Sequence, residues 1–358
     1  MTTDRPTPDV SIVVVTFDRL SLLPRALDSI VRQTFPLDRF EVVVVNDAGT
    51  DPSHIVNDYR NLLDIQLVSH EFNAGVAAAL NTGVTACTGR YICFLADDDL
   101  YYPRHLQALF EEAESLGGTS LVYSDAIKTF EDDAGNAISR LMNQVPAEFQ
   151  RDLLLVSNYI PGHCLMVPSV VFDTVGLFDE SFDALEDWDM WIRATELFAV
   201  GRVLEATAEL RWRQTTRTNN TTRDRPKHFT CLERLYAKHP VSPQLTAARA
   251  QHLENSRPIA DEFAFELSVL VLSSGDIPRL QSSLVSIVEK LGEDGPYEVV
   301  IHAPRTPDVL ALAASIDGDI TFVYGETDDH EAVWSILERK AAGRLRTRLV
   351  ESQHLHLG

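Results

Sequence analysis

Residues Tyr91–Pro103 read Y-I-C-F-L-A-D-D-D-L-Y-Y-P. The mostly apolar run Tyr91–Leu95 has the length and character of a buried strand. It leads straight into the carboxylates Asp97, Asp98 and Asp99. Like charges at the end of a core strand repel one another, and a divalent cation offsets that repulsion. Hard cations such as Mg²⁺ and Mn²⁺ prefer oxygen ligands. Ligands of open α/β sheets bind off the carboxyl ends of the strands. The turn therefore reads as a metal site that holds a phosphorylated substrate. The plain alternative is a solvated acidic turn capping a helix that starts near Pro103, since helix N-termini favour Asp.

Upstream, Val10–Val15 is a nearly unbroken β-branched run, read as a strand, with Thr16-Phe17-Asp18-Arg19 at its end. Leu22, Leu23, Ala26, Leu27, Ile30 and Val31 then follow helical spacing. Phe40–Val45 is a second strand, ending in Asn46-Asp47-Ala48-Gly49-Thr50-Asp51. Ile55–Leu63 reads as a short helix and Ile65–Ser69 as a third strand. Asn73-Ala74-Gly75 then opens a helix that runs through Ala86. Strand and helix alternating at this rhythm make a doubly wound α/β sheet. Each strand ends in polar residues: Thr16 and Asp18, then Asp47, Asn73 and Asp97–Asp99. One Asp after a strand is an ordinary turn residue. Four such ends in succession are better explained by a ligand with hydroxyls and a base to satisfy.

The segments V-S-I-V-V-V-T-F-D-R, E-V-V-V-V-N-D-A-G-T-D, N-A-G-V-A-A-A-L-N-T-G and G-R-Y-I-C-F-L-A-D-D-D-L-Y-Y-P together resemble the family 2 glycosyltransferases with the GT-A fold, over roughly residues 9–220. The resemblance implies a Rossmann-like nucleotide-diphospho-sugar transferase: a mixed sheet sandwiched by helices. It implies that Thr16, Asp18 and Asp47 touch the base and ribose of a nucleotide-sugar, that Asn73 and Gly75 line the same pocket, and that Arg19 belongs to it. Asp97, Asp98 and Asp99 match the family's D-x-D region, which binds the ribose and the metal-bridged diphosphate. Ala96 departs from the usual F-L-D-x-D-D run. Either Asp97 restores the D-x-D spacing to Asp99, or Asp98 and Asp99 work as an adjacent pair. Asp99 is taken as the ligand of Mg²⁺ or Mn²⁺, with Asp97 as helper.

Further along, Leu121–Ser124 reads as a strand, residues 131–150 as a loop over the site, and Cys164–Val167 as another strand. His163 is a candidate contact for sugar or acceptor, against a structural role. Gly176-Leu177-Phe178-Asp179-Glu180 and Glu186-Asp187 resemble the family's G-x-F-D-E segment and E-D motif. The resemblance makes Asp187, with Glu186 beside it, the general base. The chemistry calls for one, because an acceptor hydroxyl is a poor nucleophile. The plain alternative is an acidic helix cap. Leu210–Asn220 lies where relatives carry a Y-R-x-H-like segment. Arg211, Arg213 and Arg217 are candidate diphosphate clamps, and Thr215 stands where a metal-binding His is expected.

Residues 221–257 read as one or two helices with a polar linker around Asn255–Pro258, setting domains at 1–257 and 258–358. Leu267–Asp308 then aligns without gaps to Val10–Asp51. Ser268, Val271, Leu280, Leu284, Ser286-Ile287-Val288, Glu298-Val299-Val300 and Asp308 are identical to their counterparts. Asp18 becomes Gly275, Asp47 becomes Pro304, and no acidic triplet follows. The expectation is a truncated, non-catalytic α/β half-domain that packs on the first domain, on a partner subunit in a homo-oligomer, or on an acceptor chain.

With 31 basic and 53 acidic residues and a net charge of −22, the chain is a poor partner for nucleic acid or an anionic bilayer. An apolar fraction of 45% suits a globular core. The four cysteines form no C-x-x-C pair and read as free thiols in a reducing cytoplasm. No apolar signal region opens the chain, and no run approaches the ~20 residues of a membrane span. The expected activity is metal-assisted, inverting transfer from a nucleotide-sugar to a saccharide, lipid-linked or small-molecule acceptor. Two readings stand beside it. One is a nucleotide-sugar-binding protein without turnover, favoured by Ala96 and Thr215. The other is a nucleotidyltransferase, disfavoured because no Gly-rich basic loop follows Val15.

Overall fold

The computed structural model describes residues 7–132, 135–143, 145–213, 225–258, 265–291, 297–304, 306–316, 320–324, 333–334, 337 and 343–350. The chain forms two compact units, residues 1–220 with 234–252, and residues 221–233 with 253–358.

The first unit opens with β1 (Val10–Thr16), α1 (Leu23–Val31), β2 (Phe40–Asn46), α2 (Ser53–Tyr59), β3 (Ile65–Ser69), α3 (Val76–Ala86) and β4 (Tyr91–Ala96). It continues with β5 (Leu100–Tyr101), α4 (His105–Ser115), β6 (Leu121–Glu131), β7 (Ala137–Met142), α5 (Arg151–Leu154), β8 (Leu165–Pro168), α6 (Val170–Val175), α7 (Glu186–Leu197) and β9 (Val200–Arg213). Two helices, Arg225–Lys238 and Pro243–Ser256, follow. The sheet runs β3-β2-β1-β4-β8-β6-β9-β5, with β7 paired to β6. Its first four strands are parallel, while β8 is antiparallel to both β4 and β6.

The β-branched run of β1 is buried because helices cover both faces. Val10, Ile12 and Val14 pack with Leu23, Ala26, Leu27 and Ile30 of α1. Val13 faces α3, where a Cβ added to Gly83 would lie 2.3 Å from its Cγ1. The buried Ser11 hydroxyl donates to Glu41 Oε1 at 2.6 Å and accepts from Gly89 N, so no polar group is stranded. Register then places the chemistry. Val15 lies beside Ala96, Thr16 beside Asn46, and Asn46 beside Ser69, so the loops after β1, β2, β3 and β4 share one edge of the sheet.

The aromatic cluster of Phe94, Phe178 and Trp191, with ring centroids 5.4–6.3 Å apart, ties β4 to α7. Trp188, Trp191 and Ile192 of α7 are buried. The loop expected over residues 131–150 is instead partly strand. β6 runs on to Glu131 and pairs with β7. All of β7 is exposed, so it carries no one-sided apolar alternation to betray it. β9 extends to Arg213, into the Leu210–Asn220 segment that carries the candidate clamps.

In the second unit β10 (Phe265–Leu272), β11 (Tyr297–Ala303), β12 (Ile320–Tyr324) and β13 (Gly343–Val350) form a parallel sheet in the order β12-β11-β10-β13. Its core includes Val269, Val271, Leu280, Ile287 and Ile301.

The fit of α3 on β1 is testable. Gly83→Ala should destabilise the fold by about 1–3 kcal/mol, read as a lower melting temperature. An unchanged melting temperature would mean that helix and strand part freely.

Candidate active site

The loops on the sheet edge are braced by the acids singled out in the sequence. The buried Asp47 carboxylate accepts from Ala74 N at 2.8 Å and Gly75 N at 2.9 Å, and lies 2.7 Å from His70 Nδ1. His70 Nε2 in turn lies 2.8 Å from Thr82 Oγ1 on α3. Gly75 has φ 94° and ψ 163°, a conformation that needs glycine, and the fold of this loop leaves Asn73 exposed on it. Asp18 Oδ1 accepts from the backbone N and the hydroxyl of Thr50 at 2.8 and 2.9 Å, locking the loop after β1 to that after β2. Thr16 is buried at the end of β1. The backbones of Asp18, Ala48 and Leu185 are left-handed, at φ 52°, 63° and 66°. Such conformations are rare outside glycine and cluster where a site over-determines the chain.

The acidic triplet is divided in three. Asp97 is 1% exposed and points at Arg19, whose Nη2 lies 2.8 Å from its Oδ1. Burial pushes Asp97 up to about 7 against the pull of Arg19. Asp98 Oδ2 accepts from the other terminal nitrogen of Arg19 at 2.7 Å. Asp99 Oδ1 accepts from Arg211 N at 3.0 Å, while its Oδ2 lies 3.4 Å from His163 Nδ1. Burial first, then the neighbouring Asp98, holds Asp99 well above the usual carboxylate range. Arg211 is itself fixed by Glu131 and Glu209. Burial pushes His163 down to about 3, so its ring is neutral. Its Nε2 has no hydrogen-bond partner among the described residues.

These groups fit a divalent cation of one kind. Among the described residues no three His, Cys, Asp or Glu side chains converge as a ready-made cage. Asp99 instead keeps one oxygen outside its backbone hydrogen bond, in surroundings that disfavour its charge. Mg²⁺ is commonly held by one or two carboxylates, with substrate phosphates completing the shell. Asp97, turned into the protein towards Arg19, is the less available ligand.

Glu186 and Asp187 open α7 directly after the left-handed Leu185. Asp187 Oδ1 accepts from Trp188 N at 2.6 Å and Oδ2 from Asn158 Nδ2 at 3.2 Å. Burial pushes Asp187 up to about 6, against those two hydrogen bonds. Burial and the adjacent Asp187 push Glu186 up to about 8. A Cβ on Gly162 would lie 3.5 Å from Asp187 Oδ2, and the next residue, His163, is the one beside Asp99. Consecutive residues thus touch the two carboxylates, which lie far apart in the sequence. A Cβ on Gly75 would lie 3.9 Å from Asp183 Oδ1, which brings the 73–75 loop to the segment before α7.

Arg213 ends β9, but its side chain lies outside the described residues, as do Thr215 and Arg217. Sequence reasoning missed Asn158, Gly162 and Asp183. Asn and Gly before a strand are ordinary turn residues, and nothing local marks them as neighbours of Asp187 or Gly75. A groove of about 810 Å³ beside α3, lined by residues including Val68, His70, Phe72 and Leu177, reaches His70 but none of the acidic turn. The carboxylates locate the site better than that concavity does.

A mixed sheet with paired acidic loops on one edge is the architecture of the GT-A nucleotide-diphospho-sugar transferases. The Staphylococcus aureus TarS structure 1–349 in complex with UDP-GlcNAc shares it, with a TM-score of 0.52 and 18% identity over 68% of this chain and 71% of that one. The chain belongs to glycosyl transferase family 2, whose model matches residues 11–171. It is 34% identical over 197 residues to the uncharacterized glycosyltransferase YwdF of Bacillus subtilis, covering 54% of this chain and 70% of that protein. It is 32% identical over 190 residues to a PGL/p-HBAD biosynthesis glycosyltransferase of Mycobacterium bovis, covering 52% of this chain and 69% of that one. The protein is a glycosyltransferase.

The Asp47 brace can be tested without catalysis. Asp47→Asn sets an amide donor among groups that need acceptors. It should lower stability by about 1–3 kcal/mol, read by thermal denaturation. A variant as stable as the parent would remove the brace.

Proposed function

We propose that this glycosyltransferase moves a sugar from a nucleotide-diphospho-sugar to an acceptor hydroxyl in one in-line displacement that inverts the anomeric centre. The observation that supports this reading is the Gly162–His163 step, whose two consecutive residues lie one beside Asp187 and the other beside Asp99. In this reading the donor sugar turns its leaving diphosphate towards Asp99, and the acceptor hydroxyl approaches from the side of Asp187. Thr16, Asp18, Arg19, Asp47, Asn73 and Gly75 form the donor pocket, with Asp98 and the D-x-D acids beneath the diphosphate and Arg213 as a further clamp.

Asp187 takes the proton of the acceptor oxygen as that oxygen attacks. A base near neutrality suits this, because it is ionised at working pH yet still basic enough to help. Asn158 aims the carboxylate, and Glu186, at about 8, tends to keep its proton and spare Asp187 a second adjacent charge. A bound Mg²⁺ or Mn²⁺ would supply Lewis-acid stabilisation of the departing diphosphate. Asp99 would hold it, with Asp97 as the lesser candidate. A TarS complex with UDP-GlcNAc makes that donor the first to try. The acceptor is a saccharide, lipid-linked or small-molecule alcohol.

Asp187→Asn should cut turnover by roughly 10²–10⁴-fold while donor affinity, measured by calorimetry, stays within a few-fold. For the parent enzyme, kcat/KM should rise with pH through about 6 as Asp187 loses its proton. That limb should vanish in the variant. Full turnover in Asp187→Asn would unseat the base.

We read residues 258–358 as a shortened copy of the first four strands that has lost its site. The pairings Leu267↔Tyr297, Leu267↔Leu345 and Val299↔Ile320 repeat Val10↔Phe40, Val10↔Tyr91 and Val42↔Ile65. The Ser268 hydroxyl donates to Glu298 at 2.6 Å, as Ser11 does to Glu41. Where Asp18 and Asp47 would stand, Gly275 abuts Pro304, leaving 2.6 Å from a would-be Cβ to the proline ring. Titration with UDP or GDP should therefore saturate at one nucleotide per chain. A second equivalent site would contradict this reading.

A further inference from the structure

One guanidinium joins two neighbouring acids of the triplet. Arg19 Nη2 lies 2.8 Å from Asp97 Oδ1, and Nη1 lies 2.7 Å from Asp98 Oδ2. The three groups are well shielded, with the Arg19 side chain 18% exposed and the side chains of Asp97 and Asp98 0% and 13%. The remaining acid, Asp99, takes its hydrogen bond from the backbone of Arg211 rather than from a cationic side chain. The acidic turn thus carries its own cation, placed beside the carboxyls proposed to meet the diphosphate.

We propose that Arg19 is a mobile counter-charge which makes the divalent cation and the donor diphosphate bind as a coupled pair. The inference rests on the donor site proposed above. The guanidinium satisfies Asp97 and Asp98, and its positive charge there opposes entry of a second cation. A diphosphate offers it a denser set of anionic oxygens, which the planar fork of arginine matches well. When the guanidinium turns to the diphosphate, the acids are freed to attract the metal. Linkage is reciprocal, so the cation must tighten the nucleotide by the factor with which the nucleotide tightens the cation.

The experiment uses the full chain, Mn²⁺ followed by the electron paramagnetic resonance signal of the free ion, and UDP and GDP as separate probes. In the parent protein, Mn²⁺ alone should bind weakly and the better diphosphate should tighten it by about tenfold or more, the scale of one screened unit charge beside the site. Arg19→Gln should bind Mn²⁺ alone about tenfold more tightly than the parent, and the diphosphate should tighten it by a correspondingly smaller factor than in the parent, since only its direct ligation of the ion then remains. Arg19→Lys, a single point of charge, should fall between, and it carries the test if Arg19→Gln melts below the assay temperature. If Mn²⁺ affinity and coupling are unchanged in the folded variants, Arg19 is a fixed brace and the proposal fails. Loss of all Mn²⁺ binding in them would overturn it too, because Arg19 would then be building the site. Asp99→Asn is the separate control. If it leaves Mn²⁺ binding intact in the parent and in Arg19→Gln, the donor-site reading itself is wrong.

Discussion

Repulsion among Asp97, Asp98 and Asp99 is the constraint around which the first unit is organised. These acids end a strand packed on both faces, so water alone does not screen them. Arg19 meets the first two, and the backbone of Arg211 meets the third. Each of those partners needs support of its own. Arg19 follows a residue held left-handed and tied to Thr50. Arg211 is pinned by Glu131 and Glu209, on strands that come from the other half of the sheet. Breaking any of these ties leaves a charge or a hydrogen-bonding group stranded in a poorly hydrated place, which costs more than the bond itself was worth.

The parallel half of the sheet was legible from the chain because β1, β2 and β4 are largely buried on both faces. Val10–Val15, Phe40–Val45 and Tyr91–Leu95 read as nearly unbroken apolar runs, interrupted only by Ser11 and Glu41, and the loops between them carry recognisable turn chemistry. The antiparallel half was less so. β7 is exposed along its whole length and has no apolar stripe. β5 has two residues, which is too short for any periodicity.

The candidate site divides in the same way. Its acids stand at strand ends and at the start of a helix, where a reader looks first. Their partners do not. Asn158 meets Asp187 across 29 positions and Arg211 meets Asp99 across 112, and contacts between segments so distant leave no local trace. The acids also do more than face a ligand. Asp47 and Asp18 organise their own loops through backbone hydrogen bonds, a job that any reading of them as ligand contacts leaves out.

Gly162 and His163 are joined by a peptide bond, and one lies against Asp187 while the other lies against Asp99. Side-chain packing yields by fractions of an ångström, but a trans peptide holds its Cα atoms about 3.8 Å apart and does not stretch. The two backbone positions beside the acids are thereby spaced by covalent geometry. Drift towards new substrates during evolution should then fall on the walls around this step rather than on the step itself.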